Sequence, residues 1–150
     1  QITRFYSHIR SIRALIRNIR ITTMDTIANF LNTLKLASKA RKESFIFPAS
    51  RYTAAIAAAL LKAGYISAVT KRGKKSRFLE VHLSYQGSAP KVNGAKRVSH
   101  LSKRVYRSAR DIQPVRNGYG VLVLSTPKGI LTDAEARAAR VGGEALFEIW

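Results

Sequence analysis

The stretch Val123-Leu124-Ser125-Thr126-Pro127-Lys128-Gly129-Ile130-Leu131-Thr132-Asp133-Ala134-Glu135-Ala136-Arg137, continued by Val141-Gly142-Gly143-Glu144 and a run to Trp150, decides how the chain is read. An apolar strand enters a hydroxyl-bearing loop that contains proline and glycine. Thr132 stands three residues before Glu135, the spacing of a capping box, so a short helix is predicted over 133–140. The double glycine then turns the chain into a last strand, Glu144–Trp150. Upstream, Asn117-Gly118 is a tight-turn signal and places the preceding strand over Tyr119–Ser125. No nucleophile stands beside a base here. The small residues suit a rigid surface that approaches a partner closely.

Working back, Asp111 is predicted to cap a brief helical turn running into Pro114. Lys96-Arg97-Val98-Ser99-His100 and Ser102-Lys103-Arg104-Val105-Tyr106-Arg107 read as two short cationic strands. Gln86-Gly87-Ser88-Ala89-Pro90 has linker composition and marks a module boundary. Before it, Asp25 caps a helix whose Ile27, Phe30, Leu31 and Leu34 form one apolar stripe. Ser44–Phe47 is a short strand closed by Pro48. Ser50 caps an alanine-rich helix, with Tyr52, Ile56 and Leu60 turned inward and Gly64 ending it. Tyr65–Val69 is the next strand, Lys71-Arg72-Gly73-Lys74-Lys75 a basic turn, and Leu79, Val81 and Leu83 alternate on the returning strand, leaving His82 on the other face. The predicted fold class is α+β in two small modules. Residues 24–87 form an α-β-α-β-β unit, and 91–150 form a mostly β unit with a short helix.

Residues 1–23 differ in kind, with five arginines, no acid, and Ile9, Ile12, Leu15, Ile16 and Ile19 at helical spacing. Three readings fit: a mitochondrial-type targeting segment, a basic tail that touches RNA, or sequence upstream of a start at Met24. The last is preferred, and in each case the segment is a basic extension outside the fold.

Charge narrows the function classes. In 150 residues there are 27 Lys/Arg against 8 Asp/Glu, a net of +19, far beyond what solubility requires. Such self-repulsion points to a polyanionic partner, nucleic acid or an anionic membrane. Residues 24–90 carry eleven cations against three acids and residues 91–150 eleven against five, so both modules face that partner. A membrane would instead call for one polybasic amphipathic segment, so nucleic acid is favoured. The absence of cysteine leaves no disulfide or thiolate metal site, and no cofactor is expected.

An enzyme fits poorly. His8, His82 and His100 are scattered and lack acidic partners in sequence, and no hydrolase elbow, zinc helix or phosphate loop occurs. Asp133 and Glu135 lie in the first turn of a helix, where capping and the helix dipole account for them. RNA suits the remaining residues. Ser125 and Thr126 offer short hydrogen-bonding groups for 2′-hydroxyls and base edges, while Gly129, Gly142 and Gly143 remove bulk. Glu144, an acid in a cationic surface, can accept from base amino groups or sugar hydroxyls, or orient the facing loop. Lys35 and Lys39, near the end of the first helix, are candidate phosphate contacts.

Ser125-Thr126-x-Lys128-Gly129-Ile130-Leu131-Thr132-Asp133-x-Glu135-Ala136-Arg137 followed by Val141-Gly142-Gly143-Glu144 resembles the small-subunit ribosomal protein eight family in its bacterial type. Asp25-x-Ile27-Ala28, Pro48-x-Ser50, Lys62-x-x-Gly64-Tyr65-Ile66, Arg97-Val98-Ser99 and Arg104-Val105-Tyr106 fall in family order, so the resemblance covers residues 24–150. It implies a structural, non-catalytic protein that binds a central-domain helix of small-subunit rRNA early in assembly. Neighbouring small-subunit proteins such as protein five would be its other partners, with no membrane or small-molecule substrate. The implied setting is a bacterial cytoplasmic ribosome, or alternatively a mitochondrial or plastid one. Implied RNA contacts are Ser125, Thr126, Gly142, Gly143 and Glu144, with Tyr106, Arg97, Lys103, Arg104 and Arg107. Lys128, Gly129, Ser50, Arg51, Lys74 and Lys75 complete the candidate set beside Lys35 and Lys39. The chain departs from the family at Pro127, where a serine is usual, at Asn32-Thr33-Leu34-Lys35-Leu36 in the first helix, and at Leu101-Ser102, where Pro-Gly is common. The alternative function is a translational regulator that binds an mRNA mimic of the rRNA site.

Overall fold

The computed structural model describes residues 25–150. The expectations for the basic segment 1–23 lie outside the described residues. Helix α1 spans Thr26–Lys39 and begins where the Asp25 carboxylate accepts from the Ala28 amide at 3.1 Å. Its stripe of Ile27, Phe30, Leu31 and Leu34 is buried. Strand β1 (Ser44–Pro48) follows, then α2 (Arg51–Ala63), β2 (Ile66–Arg72) and β3 (Phe78–Leu83). These strands form an antiparallel sheet in the order β1-β3-β2. Phe45, Phe47, Leu79, Val81 and Leu83 fill its inner face, and the Phe30 ring meets Phe45 and Phe47 edge-on.

The linker-like Gln86–Pro90 stretch is a small hairpin of β4 (Tyr85–Gln86) and β5 (Ala89–Pro90) turning through Gly87. Beyond it come β6 (Ala95–Arg97), β7 (Tyr106–Arg107), β8 (Val121–Thr126), β9 (Gly129–Thr132), α3 (Asp133–Ala139) and β10 (Gly143–Ile149). The second sheet runs β6-β10-β8-β9, and β7 pairs with the beginning of β10 on the same edge as β6. Gly129-Ile130-Leu131, read as loop in sequence, is therefore a strand. Its register against β8 pairs Thr126 with Gly129 and Val123 with Thr132. The helical turn expected between Asp111 and Pro114 does not form; a tight turn follows Pro114 over Val115–Gly118, with Arg116 and Asn117 in the left-handed region at φ 47° and 56°. Asp111 instead accepts from the Ser108 hydroxyl at 2.6 Å.

Both faces of the second sheet are covered. Val123 joins the large core, whereas Leu122 and Leu124 join a smaller cluster with Ile112, Val115, Ala136 and Ala145. A bulge in β10 between Ala145 and Phe147 breaks the period of two. It lets Leu146 and Phe147, adjacent in sequence, both enter the large core while Ala145 serves the smaller one. The large core crosses the Gln86–Pro90 stretch, joining residues of α1, α2 and the first sheet to Val92, Val123, Leu146, Phe147 and Ile149. Helix α2 packs against β2 on one side and β8 and β9 on the other. Its alanines explain how: Ala57 and Ala59 are buried without bulk, so two sheets reach one helix. Tyr52 departs from the expected inward stripe and is 38% exposed. It lies in the first helical turn beside the fully buried Thr53 and is only partly covered, whereas Ile56 and Leu60 are fully buried.

Candidate nucleic-acid interface

The β8–β9 hairpin and the start of β10 meet because of the double glycine. A Cβ on Gly143 would lie 2.1 Å from the Ser125 carbonyl oxygen, and one on Gly142 would lie 2.4 Å from that of Arg107. Neither position admits a side chain. These two glycines therefore let the chain approach itself, pulling β7, β8 and β10 into one rim. Gly129 differs: a Cβ there meets nothing within 4 Å, but its φ of +108° is needed for the hairpin turn. The Thr126 hydroxyl closes that turn, donating to the Gly129 carbonyl at 2.8 Å and accepting from the Lys128 amide at 3.2 Å. Pro127 and Lys128 stand exposed at its tip.

The rim surrounds a shallow concave surface lined by Tyr106, Arg107, Ser108, Ser125, Thr126, Pro127 and Gly142-Gly143-Glu144. Ser125 is partly exposed on it, and its hydroxyl makes no hydrogen bond among the described residues. Tyr106 is 71% exposed. Glu144 pairs with Ser125 on one side and Tyr106 on the other in the strand register. Its carboxylate accepts from the Arg104 guanidinium at 2.8 Å. Lys103 and Arg107 are exposed beside it. The 100–103 segment is held by reciprocal backbone bonds between His100 and Lys103, with Leu101-Ser102 at its tip.

The first module adds a second cationic edge at the same end. Pro48 pairs with Phe78, and the Ala49 amide donates to the Arg77 carbonyl at 2.8 Å, so the Gly73–Arg77 turn lies against the start of α2. Lys74, Lys75, Arg77 and Arg51 are exposed there. Ser50 caps α2, accepting from the Thr53 amide at 3.0 Å, while Thr53 accepts from the Ser50 amide. Tyr52 ties this edge to the rim. Burial, then the Glu144 carboxylate, raise its phenol above the ordinary value, against the opposing pull of Arg97 and Arg104. Sequence patterning missed Tyr52 as a surface residue because it sits in phase with the buried stripe. Arg77 was missed too, although it continues the basic turn.

Other candidates lie elsewhere or inside. Arg97 is largely buried: it donates to the Leu146 carbonyl at 2.9 Å and lies 3.5 Å from the Asp25 carboxylate, locking the α1 cap to β10. Lys35 and Lys39 lie toward the far end of α1. A helix of this length extends about 20 Å, so Lys39 sits well away from the Asp25–Arg97 contact. The four-residue capping box is as expected: the Thr132 hydroxyl receives the Glu135 amide at 3.4 Å, and the Glu135 carboxylate receives the Thr132 amide at 3.0 Å. The backbone N–H of Thr132, followed by Lys62, holds the Glu135 carboxyl below its usual range. Asp133 is ion-paired with Arg137 at 3.2 Å. Both acids are thus accounted for by helix structure.

Fold and rim together define a small basic α+β protein with an open cationic edge. The chain belongs to the ribosomal protein S8 family, whose family model matches residues 25–150. This is a family of structural ribosomal proteins, not of enzymes. The chain is 41% identical over 124 residues to the small ribosomal subunit protein uS8 of Dechloromonas aromatica, covering 81% of this chain and 94% of that one. The corresponding proteins of Novosphingobium aromaticivorans and Rhizorhabdus wittichii are 37% and 36% identical, each over 84% of this chain and 97% of their own.

Proposed function

We propose that this chain is a structural constituent of the small ribosomal subunit that binds a helix of the central-domain rRNA and supports its assembly, with 24–87 and 91–150 as its two modules. The observation that carries the reading is the rim: a Ser125 hydroxyl without a partner among the described residues, an exposed Tyr106 and a closed Thr126 turn on a surface bordered by Arg104 and Arg107. Irregular RNA exposes base edges and 2′-hydroxyls that short hydroxyl groups and aromatic faces can meet. The cations of the Gly73–Arg77 turn and the start of α2 would position the phosphate backbone, and the rim would specify the site. Protein five of the same subunit is the proposed protein neighbour, and a ribosome, bacterial or organellar, the proposed setting. The test is binding to a small-subunit central-domain rRNA fragment against a scrambled RNA of equal length. Preference for the fragment, with ribosomal co-sedimentation, supports the reading; equal affinity for both overturns it.

A further inference from the structure

Glu144 is an anomaly in a chain of net charge +19: a carboxylate set among cations on the surface proposed to face a polyanion. Its surroundings explain it. The side chain is 16% exposed against 46% for its partner Arg104, so the guanidinium covers the carboxylate from solvent. The contact is a charge-assisted bond of 2.8 Å, and it raises the basicity of an already basic group. Arginine carries five N–H donors in a fixed fork, and among the described residues only Nη1 is engaged, leaving most of the fork free of them. Backbone geometry fixes both ends. Glu144 is locked between Ser125 and Tyr106 in the register, and the Ala145 amide donates to the Val105 carbonyl at 2.8 Å, pinning the residue next to Arg104.

We infer that Glu144 is a positioning residue: it aims the free edge of the Arg104 guanidinium outward beside Tyr106, and Arg104 makes a forked contact to an RNA backbone phosphate at the rim. A carboxylate facing phosphate directly would be repelled, whereas one that holds an arginine in place converts a mobile side chain into a pre-set donor. This inference rests on the RNA-binding reading. It differs from a direct contact of Glu144 with bases or sugars, which would leave the guanidinium incidental.

The test is a double-mutant cycle on the whole chain with Arg104→Ala, Glu144→Ala and the pair, measured on the cognate rRNA fragment over a salt series. Each single change is expected to weaken binding by about ten- to a hundredfold, as for removal of a charge-assisted bond. The double variant is expected to be no weaker than either single one. Glu144→Ala removes a negative charge and so should tighten binding if only net charge mattered; weaker binding with a shallower salt slope is the signature of positioning. Arg104→Lys keeps the charge but not the fork and should not rescue, while Glu144→Gln, which still offers an acceptor oxygen, should recover part of the affinity. Thermal melts separate these effects from unfolding. Multiplying effects in the double variant, or weaker binding at Glu144 with no change at Arg104, overturns the inference while cognate preference leaves the broader reading intact. Absence of cognate preference in the unaltered chain overturns both.

Discussion

At the scale of single residues, the two glycines before Glu144 carry an energetic consequence. Gly143→Ala would drive a Cβ to 2.1 Å from the Ser125 oxygen, so β8 and β10 must separate. Overpacking of that kind costs about 1–3 kcal/mol, and a urea midpoint should fall accordingly; an unchanged midpoint would show that the strands move apart freely. Ser125→Ala, by contrast, removes a hydroxyl with no internal partner among the described residues, so stability should hold. Cognate rRNA affinity should instead fall by about 1–3 kcal/mol, as for other direct readout, with affinity for scrambled RNA unchanged. Equal weakening on the two RNAs would remove Ser125 from the specifying surface. Both positions were legible in the sequence, but with one shared role. The small residues at 142 and 143 serve the approach of strand to strand, a meeting of residues far apart in sequence that no local pattern records.

Among the elements, α3 gives the pH prediction. Glu135 closes the capping box, and its carboxyl titrates below the ordinary value because the Thr132 amide and Lys62 favour the charged form. A carboxyl lowered in the folded state adds stability that is fully present above its unfolded pKa of about 4.3. That stability is lost as pH falls through the lower folded value. Thermal melts from neutral to acid pH should therefore show the difference between the unaltered chain and Glu135→Gln shrinking below about pH 4. A difference that grew on acidification would contradict the assignment. The capping signals of α1, α2 and α3 were legible because a cap is local: Asp25, Ser50 and Thr132 each bond within three residues. Strand β9 was not, since its four residues, one of them Gly129, acquire strand character only through pairing with β8. Proline disfavours helix in the residue before it, so no helical turn leads into Pro114, and the tight turn after it passes through left-handed Arg116 and Asn117.

For the whole molecule, the decisive feature is that two sheets share α2 and one large core, which carries the Gly73–Arg77 turn and the Ser125–Glu144 rim on a single body. Composition revealed an even spread of charge but not which cations share an edge. That Arg97 is interior, and that Lys39 lies far along α1, follow only from the packing. Lys74→Ala or Lys75→Ala should weaken all RNAs alike and lower the salt slope by about 0.7–0.9 for each phosphate left without its cation. The division of labour between edge and rim is tested most directly by one comparison: the affinities of the unaltered chain, Ser125→Ala and Lys74→Ala for cognate and scrambled RNA across a salt series. Loss of preference with an unchanged slope for Ser125→Ala, and preserved preference with a reduced slope for Lys74→Ala, is the expected outcome. The same response from both variants would contradict it.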